Sequence, residues 1–331
     1  MVSLKAIIPV AGSGTRLRPL THTKPKALLY VGSKPIICHI VESLLPLGCD
    51  TLVFIIGPDG DDIPKTIRAR FPQLTVESIV QHDRLGLGHA VSLTRDVVGD
   101  DDVLIIYGDT IIDGDLSVIR SCDVDGLIAV KEVKNPRRFG VVTIHDGLIT
   151  GFVEKPSRPK SNLAIVGCNY FKNAPYLFES LREIISRDKK TKGEYQITDA
   201  FQVMIERGFK LKPFTVEGWF DCGTPESLLE TNRYILTREN REYTVPNSII
   251  IPPVSIHTSA TVEHSIIGPY VSVGSEAHIE RSIIVDSIIG SSTRVYNAMF
   301  TKSIIGDFVE AVERPRRLIM GDNSSLDIDT D

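Results

Sequence analysis

Short apolar runs alternate with amphipathic stretches over the first two thirds of the chain. Mostly apolar segments at residues 4–10, 52–56 and 103–107 have the length and the aliphatic content of buried strands. Residues 34–47 repeat aliphatic side chains every three or four positions, which predicts a helix with one buried face, and we expect a second helix over 89–97. This alternation predicts a Rossmann-like α/β fold, in which a mostly parallel sheet lies between helices and ligands bind beyond the carboxyl ends of the strands.

After about residue 240 the helical pattern stops and a repeat begins. Aliphatic residues recur at six-residue spacing, and the phrase Ser-Ile-Ile-Gly occurs three times, at residues 265, 287 and 303. This period predicts short strands stacked as the coils of a parallel β-helix, and the alternative is the edge of an ordinary β-sandwich. The spacing slips between Val262 and Val273, so we expect at least one irregular coil.

These patterns predict three segments. We expect an α/β domain over residues 1–240, for which the motifs described below imply a catalytic role, a β-helix of hexapeptide-like repeats over 241–315 and a disordered acidic tail over 316–331.

Composition narrows the possible functions. The net charge of −5 gives no sign of the basic surface that a nucleic-acid partner requires. No apolar run reaches the roughly 20 residues that span a membrane, and the N-terminus lacks the layout of a signal peptide. The five cysteines are scattered and form no CxxC pair, so we expect reduced thiols in a cytoplasmic protein.

A glycine-rich segment directly follows the first predicted strand. It reads Gly12-Ser-Gly-Thr-Arg-Leu-Arg-Pro-Leu-Thr21, and Gly12 and Gly14 allow a tight turn whose backbone N–H groups can face an anion. Four cations follow within a dozen residues: Arg16, Arg18, Lys24 and Lys26. Such a loop suits a polyphosphate, although Arg18 and Lys24 could equally be solvated surface charges.

Two common phosphate motifs do not fit this segment, and a third interpretation stays open. The dinucleotide fingerprint needs a third glycine where Leu17 stands, and a P-loop needs a Gly-Lys-Ser/Thr that Gly14-Thr15-Arg16 does not supply. A solvated basic loop is the remaining alternative.

Taken with further motifs downstream, the loop resembles that of sugar-nucleotide pyrophosphorylases, and of glucose-1-phosphate thymidylyltransferases of the long type with a C-terminal left-handed β-helix. The motifs that carry the resemblance, in order, are the glycine-rich loop with Pro25-Lys26, the segment from Gln81 to Ala90, Tyr107-Gly-Asp109, Asn135 to Val142, Phe152 to Pro156, Gly193 to Asp199 and Gly218 to Pro225.

The resemblance implies a reaction in which a sugar-1-phosphate attacks a nucleoside triphosphate and pyrophosphate leaves, with Mg²⁺ as cofactor. The implied catalytic residues are Arg16, Lys26, Asp109 and Asp221, of which the two aspartates would hold the metal. The implied nucleotide-binding residues are Ala11, Gly12, Ser13, Gly14, Thr15, Arg16, Gln81 and Gly86. The implied sugar-phosphate residues are Gly140, Glu154, Lys155, Gly167 and Glu194. Thr110 stands where relatives often carry asparagine, which leaves the hydrogen bonding beside Asp109 open.

Several alternatives to a dTTP enzyme remain at this point. The segment Gly86-Leu-Gly-His89 is also similar to the corresponding segment of uridylyltransferases that act on glucose-1-phosphate. A non-catalytic nucleotide-sugar sensor would be expected to have lost one of the four catalytic residues, and a β-helix that also transfers acyl groups would need more than its scattered histidines. We expect the partners to be a nucleoside triphosphate and a sugar-1-phosphate, with no nucleic acid or membrane, and a homo-oligomer because stacked coils expose faces and ends.

Overall fold

The computed structural model describes residues 3–314 and Met320, and the chain divides into two compact units, Met1–Thr231 and Asn232–Asp331. Apart from Met320, the predicted tail over 316–331 lies outside the described residues. No helix in the described part of the chain is long and apolar enough to cross a membrane.

The described part of the first unit contains thirteen strands, six complete helices and the first half of a seventh. The strands are β1 (Leu4–Pro9), β2 (Tyr30–Val31), β3 (Lys34–Pro35), β4 (Thr51–Ile56), β5 (Thr75–Val80), β6 (Asp102–Ile106), β7 (Thr110–Asp113), β8 (Gly126–Glu132), β9 (Gly140–His145), β10 (Leu148–Glu154), β11 (Leu163–Phe171), β12 (Leu211–Thr215) and β13 (Gly218–Asp221). The helices are α1 (Ile36–Leu44), α2 (Asp62–Arg70), α3 (Leu87–Ser92), α4 (Arg95–Val98), α5 (Pro175–Ser186), α6 (Ile197–Glu206) and α7 (Pro225–Glu239), the last of which continues into the second unit.

The central sheet is mixed and mostly parallel where the sequence predicted strands. Its order is β10-β9-β11-β6-β1-β4-β5, with β8 on β11 and β12 on β8. The strands β6, β1, β4 and β5 run parallel, and β11 joins β6 antiparallel. The aliphatic side chains of β1, β4 and β6 are buried, as expected for strands covered on both faces. The predicted α/β class is therefore confirmed.

Two helices differ from the continuous helices that the sequence predicted. The helix expected over 34–47 is helical only over α1, because Lys34–Pro35 forms β3 and the last residues tighten into a 3-10 turn, Leu45–Leu47, that contains Pro46. The helix expected over 89–97 is split into α3 and α4 around Thr94, whose hydroxyl donates to the carbonyl of Val91 instead of continuing the helix.

The second unit is a left-handed parallel β-helix, also as predicted. Its strands are β14 (Ile249–Ile250), β15 (Val254–Ile256), β16 (Thr261–Glu263), β17 (Ile266–Ile267), β18 (Val271–Val273), β19 (His278–Glu280), β20 (Ile283–Val285), β21 (Ile288–Ile289), β22 (Arg294–Tyr296), β23 (Met299–Thr301), β24 (Ile304–Ile305) and β25 (Glu310–Val312). They form three parallel ladders, β14-β17-β20-β23, β15-β18-β21-β24 and β16-β19-β22-β25.

The coils are shorter than three six-residue repeats. Ile249 pairs with Ile266, 17 positions later, whereas Ile288 pairs with Ile304, 16 positions later. The buried core residues Val262, Ile267 and Val273 are five and then six positions apart, so the predicted slip between Val262 and Val273 is confirmed. A second irregularity follows where β21 pairs with β18, because the coil length falls there from 17 to 16.

The repeated serines have a structural reason. At one corner, Ser265 donates its hydroxyl to the carbonyl of Glu263 and accepts the backbone N–H of Ser282 in the next coil, at 3.0 Å. Ser282 repeats this with the N–H of Ala298. Each corner serine thus satisfies a backbone donor that the turn would leave unpaired.

Candidate active site

Two remote aspartates meet because of one short antiparallel ribbon. β7 pairs with β13 so that Thr110 lies opposite Asp221, and the N–H of Cys222 donates to the carbonyl of Asp109 at 3.0 Å. Asp109 therefore lies beside Asp221, at the carboxyl end of β6 where the α/β fold places ligands.

A lysine stands between the two carboxylates. Lys26 Nζ lies 2.7 Å from Asp109 Oδ2 and 3.8 Å from Asp221 Oδ1, and its side chain is only 11% exposed. Pro25 begins the 3-10 turn Lys26–Leu28 that fixes its approach. Thr110 donates its hydroxyl to Asp109 Oδ1 at 3.2 Å, so both oxygens of Asp109 are held.

The electrostatics of this cluster favour a cation. Burial raises the pKa of Asp221, and the negative charge of Asp109 raises it further, while Lys26, Arg16 and Arg138 oppose the shift. An added positive charge between the carboxylates would relieve this penalty.

The glycine-rich loop turns as its sequence requires. Gly14 has φ of +59° and precedes the 3-10 turn Thr15–Leu17, and Thr21 closes the loop by donating to the Gly14 carbonyl at 2.8 Å. A side chain at position 14 would combine this left-handed backbone with a contact of 3.0 Å to Thr21, so the loop depends on glycine there.

Two adjoining cavities open on either side of the aspartates, and we call them the first and second lobes. The first lobe encloses about 300 Å³, and the predicted nucleotide residues on its wall are Ala11, Gly12, Gln81 and Gly86. The second lobe encloses about 370 Å³, and the predicted residues on its wall are Arg16, Gly140, Glu154, Lys155 and Asp221. Asp109 lines both lobes, and Lys26 lines the first.

The first lobe presents an amide whose hydrogen bonds are unused. The backbone N–H of Gln81 donates to Ile56, which fixes the residue at the end of β5, but its side chain makes no hydrogen bond within residues 3–314. Gly86 has φ of +111°, and a Cβ there would lie 2.7 Å from the carbonyl oxygen of Tyr195. Close packing against the backbone of Tyr195 is therefore sufficient to explain why residue 86 is a glycine.

The second lobe combines an acid and a base at its wall. Glu154 ends β10 opposite Gly140, accepts a hydrogen bond from Thr198 at 3.1 Å and lies 3.6 Å from Lys155 Nζ. A Cβ on Gly140 would lie 2.9 Å from Glu154 Oε2, so this glycine makes room for the carboxylate. Lys155 has a left-handed backbone with φ of +42°, a strained conformation of the kind found at functional sites.

Some predicted residues lie elsewhere than expected. Glu194, a predicted sugar-phosphate residue, lines the first lobe and accepts a hydrogen bond from Gln196, which lines the second. Gly167 packs under the ring of Tyr107, where a Cβ would lie 2.4 Å from the ring. The predicted loop residues Ser13, Gly14 and Thr15 are not on the wall of either lobe.

The lobes also contain residues that the sequence did not single out. Arg138 and Trp219 line the second lobe, and Trp219 packs edge-on against Phe139 with ring centroids 4.7 Å apart. Arg84 lines the first. Arg138 belongs to the motif from Asn135 to Val142, which carried part of the family resemblance and could have indicated a functional arginine. Nothing in that motif distinguishes Arg138 from its neighbour Arg137.

A divalent cation fits between the aspartates only if its other ligands come from elsewhere. No three His, Cys, Asp or Glu side chains cluster as a metal site in the described part of the chain. Two carboxylates with open positions suit Mg²⁺, which binds through one or two carboxylates together with waters and substrate phosphates.

Comparison with known proteins shows which protein families the chain matches. The family model described as "Nucleotidyl transferase" matches residues 5–238, and the model "GlmU-like, C-terminal hexapeptide" matches residues 240–296. A low-salt glycan biosynthesis nucleotidyltransferase of Haloferax volcanii, Agl11, is 36% identical over 241 residues, and a glucose-1-phosphate thymidylyltransferase of Streptomyces antibioticus is 36% identical over 242. Each alignment covers 70% of this chain and 66% of the relative.

A solved structure agrees with these matches. A crystal structure of UDP-glucose pyrophosphorylase complexed with UDP-glucose superposes with a TM-score of 0.60 at 27% identity, over 72% of this chain and all of that one. With its sheet, its paired lobes and these matches taken together, the chain belongs to the nucleotidyl transferase family.

Proposed function

We propose that the protein transfers a nucleotidyl group from dTTP to glucose-1-phosphate in a Mg²⁺-dependent reaction that yields dTDP-glucose and pyrophosphate. The observation that carries this proposal is the meeting of the two lobes at Asp109, beside Lys26 and Asp221. A nucleotide in the first lobe and a sugar phosphate in the second would bring their phosphates together at this point.

The chemistry requires two anions to approach. An oxygen of the sugar phosphate forms a bond to the α-phosphorus, the bond from that phosphorus to the bridging oxygen breaks, and pyrophosphate leaves in line. Lys26 and Arg16 are the cations beside this point, and their charges would offset the repulsion and stabilise the leaving group. Lys155 and Arg138 would hold the sugar phosphate, and Glu154 would accept hydrogen bonds from sugar hydroxyls.

Asp109 and Asp221 would hold Mg²⁺, which when bound draws phosphate oxygens together and neutralises their charge. Lys26 lies within 4.0 Å of both carboxylates, with its Nζ 2.7 Å from Asp109 Oδ2 and 3.8 Å from Asp221 Oδ1. Thr110 would keep Asp109 oriented through its 3.2 Å hydrogen bond, in the position where relatives often carry asparagine.

A pyrimidine base fits the first lobe best. The Gln81 carboxamide offers one acceptor and two donors, which match the N3–H and the carbonyl oxygens of thymine or uracil. The relative from Streptomyces antibioticus supports the choice of dTTP.

UTP is the second candidate nucleotide. The segment Gly86-Leu-Gly-His89 and the fold shared with a UDP-glucose pyrophosphorylase favour it. Thymine and uracil differ by one methyl group, and a pocket distinguishes such a difference by only about 1–3 kcal/mol.

Pyrophosphate release tests the proposal. The full chain is incubated with Mg²⁺, glucose-1-phosphate and each of dTTP, UTP, CTP, GTP and ATP in turn. We expect the fastest release with dTTP and slower release with UTP, and the reverse order would reassign the protein as a uridylyltransferase. If no nucleotide reacts with any of several sugar-1-phosphates, while labelled dTTP still binds, the protein is a non-catalytic sensor.

A further inference from the structure

A third cavity lies in the first unit, distinct from the two lobes. It is formed between α5 and the start of α4 and encloses about 360 Å³, nearly the volume of the second lobe. Its walls include Arg95 of α4 and, from α5, Pro175, Phe178, Glu179, Arg182 and Ile185. We call it the α4–α5 cavity. None of these residues lines either lobe, so the cavity is not part of the active site.

The α5 side of the cavity is largely apolar. Pro175, Phe178, Arg182 and Ile185 follow one another at intervals of three and four residues, so they share one face of the helix. Phe178 is buried in the core of the unit, and Ile185 packs against the same core while it stays partly exposed. An apolar part of a ligand would be sheltered from water here, in a cavity of the size that binds small molecules.

Arg95 is held over this apolar wall. It begins α4 directly after the break at Thr94, and its Cζ lies 5.6 Å from the centre of the Phe178 ring. Its Nη1 donates to the carbonyl of Gly99 at 2.7 Å, and its Nη2 lies 3.3 Å from Asp100 Oδ1. These contacts fix the guanidinium group but use only part of its five N–H donors, so donors remain for a ligand.

Arg182 is the charged residue of α5 whose charge is not compensated. Glu179 Oε2 lies 3.6 Å from Arg207 Nη1. Glu183 pairs with Arg187 at 2.7 Å and also with Arg207. Arg182, by contrast, forms no hydrogen bond or ion pair with any residue that the structure describes, although it lies on the cavity wall. A guanidinium group with all its donors free is complementary to an oxyanion.

We propose that the α4–α5 cavity binds a small organic anion. A phosphate or carboxylate group of the ligand would accept hydrogen bonds from Arg182 and from the free donors of Arg95, because the guanidinium fork matches both groups. The apolar part of the ligand would lie against Phe178 and Ile185. The proposal does not rest on the proposed catalytic function, since it uses none of the residues of the two lobes.

The charges on the wall limit which anions fit. Two arginines and one glutamate, Glu179, leave a net charge of +1 in the cavity. A ligand with one anionic group matches this charge, whereas a polyphosphate would bring uncompensated negative charges beside Glu179. The expected ligand is therefore a small molecule with a single phosphate or carboxylate group and an apolar part, and not a second nucleoside triphosphate.

Ligand-observed NMR on the full chain tests the proposal with phenyl phosphate and benzoate, which each join an aromatic ring to one anionic group. We expect at least one to bind with a Kd on the order of 1 mM, because so small a ligand gains little binding free energy. Binding of one probe alone identifies the anionic group that the site prefers. Inorganic phosphate and phenol, which each carry half of this chemistry, should bind at least about tenfold more weakly.

Substitution of Arg182 tests whether the unpaired guanidinium group holds the probe. Arg182→Ala should weaken binding at least about tenfold, and Arg182→Lys, which keeps the charge but not the fork, should weaken it less. Arg187→Ala is the matched control, because Arg187 ends the same helix, pairs with Glu183 and does not line the cavity. If neither probe binds the parent, or if Arg182→Ala binds the probe like the parent, the proposal is wrong.

Methyl NMR spectra locate the bound probe and separate this cavity from the active site. The methyl signal of Ile185, assigned by its loss in Ile185→Val, should shift as the probe is added. The methyl signal of Ile165 reports on the second lobe, which Ile165 lines. A shift at Ile165 without one at Ile185, reversed by glucose-1-phosphate, would place the probe in the second lobe. That result would overturn the proposal and leave the proposed function untouched.

Discussion

The two units of this chain use sequence in opposite ways. In the first unit, a site is assembled from single side chains that stand far apart in the sequence, such as Lys26 and Asp221. In the second, one short phrase is repeated and each coil packs like the next. Function in the first unit therefore rests on a few charged groups that cost stability. In the second unit, stability is spread over many inward side chains, and only the outward faces are free for function.

The largest expected effect is on kcat, when one cation is removed from the active site of the first unit. Lys26→Ala should lower kcat about 10²–10³-fold, because the charge beside the reacting phosphates disappears. Lys24→Ala is the matched control, since Lys24 lies over the Tyr30 ring with its Nζ 5.8 Å from the centroid, and it should change kcat less than about threefold. Steady-state pyrophosphate release measures both, and equal losses in the two variants would break the distinction between them.

An inward substitution in the second unit should show the reverse behaviour. Ile279 is fully buried in the β-helix core, so Ile279→Ala should lower the free energy of unfolding of this unit by about 2–4 kcal/mol and leave kcat and KM of the folded protein unchanged. Its outward neighbour provides the control, because His278→Ala should change stability by less than about 0.5 kcal/mol. Chemical denaturation followed by circular dichroism measures the difference, and a parallel loss of kcat would contradict the division of labour.

Arg137 and Arg138 sharpen the comparison within the first unit. Only Arg138 lines the second lobe, so Arg138→Ala should raise the KM for the sugar phosphate about tenfold, equivalent to about 1.4 kcal/mol. Arg137→Ala should leave that KM within about twofold of the parent. If both variants raise it equally, the effect is a general one of positive potential and not a contact.

The smallest expected effect is on the free energy of unfolding, which the ionised side chain of Asp221 lowers. The folded-state pKa of Asp221 is raised, so its ionised form opposes folding at pH values above both the folded and unfolded pKa, and this penalty fades as the pH falls through the folded pKa. Without Mg²⁺ at pH 7, Asp221→Asn should therefore stabilise the protein, by at most about 1 kcal/mol because the side chain is 43% exposed.

A capping aspartate in the same unit gives the opposite sign. Asp115 accepts the backbone N–H of Ser117 at 2.9 Å, and hydrogen bonds from the side chain and then the backbone of Ser117 lower the pKa of Asp115. Asp115→Asn should therefore not stabilise the protein, and thermal unfolding compares the two variants. A lower melting temperature for Asp221→Asn than for the parent would contradict the account of strained charges at the site.

Local patterns in the sequence predicted the parts of the fold that depend on local physics. Apolar runs predicted β1, β4 and β6, and the glycine spacing predicted the loop that Gly14 closes with its left-handed backbone. The corner role of the repeated serines was not predicted, because it depends on a hydrogen bond to the next coil.

Long-range pairing was beyond the sequence patterns. The β7–β13 ribbon brings Asp221 beside Asp109, and no local period encodes the register of strands a hundred residues apart. The family resemblance alone joined these two residues. The same limit applies to two other residues. Only the structure shows that Glu194 lines the first lobe, and that Arg138, but not Arg137, lines the second.

The most direct test of the central claim measures the Mg²⁺ dependence of pyrophosphate release for the parent, Asp109→Asn and Asp221→Asn, with dTTP and glucose-1-phosphate. We expect a parent rate that requires Mg²⁺, and a fall of at least about 10²-fold in both variants, because each would remove one of the two carboxylates proposed to hold a single cation. Turnover at the parental rate in either variant, or a parent that is equally fast without divalent cations, would contradict it.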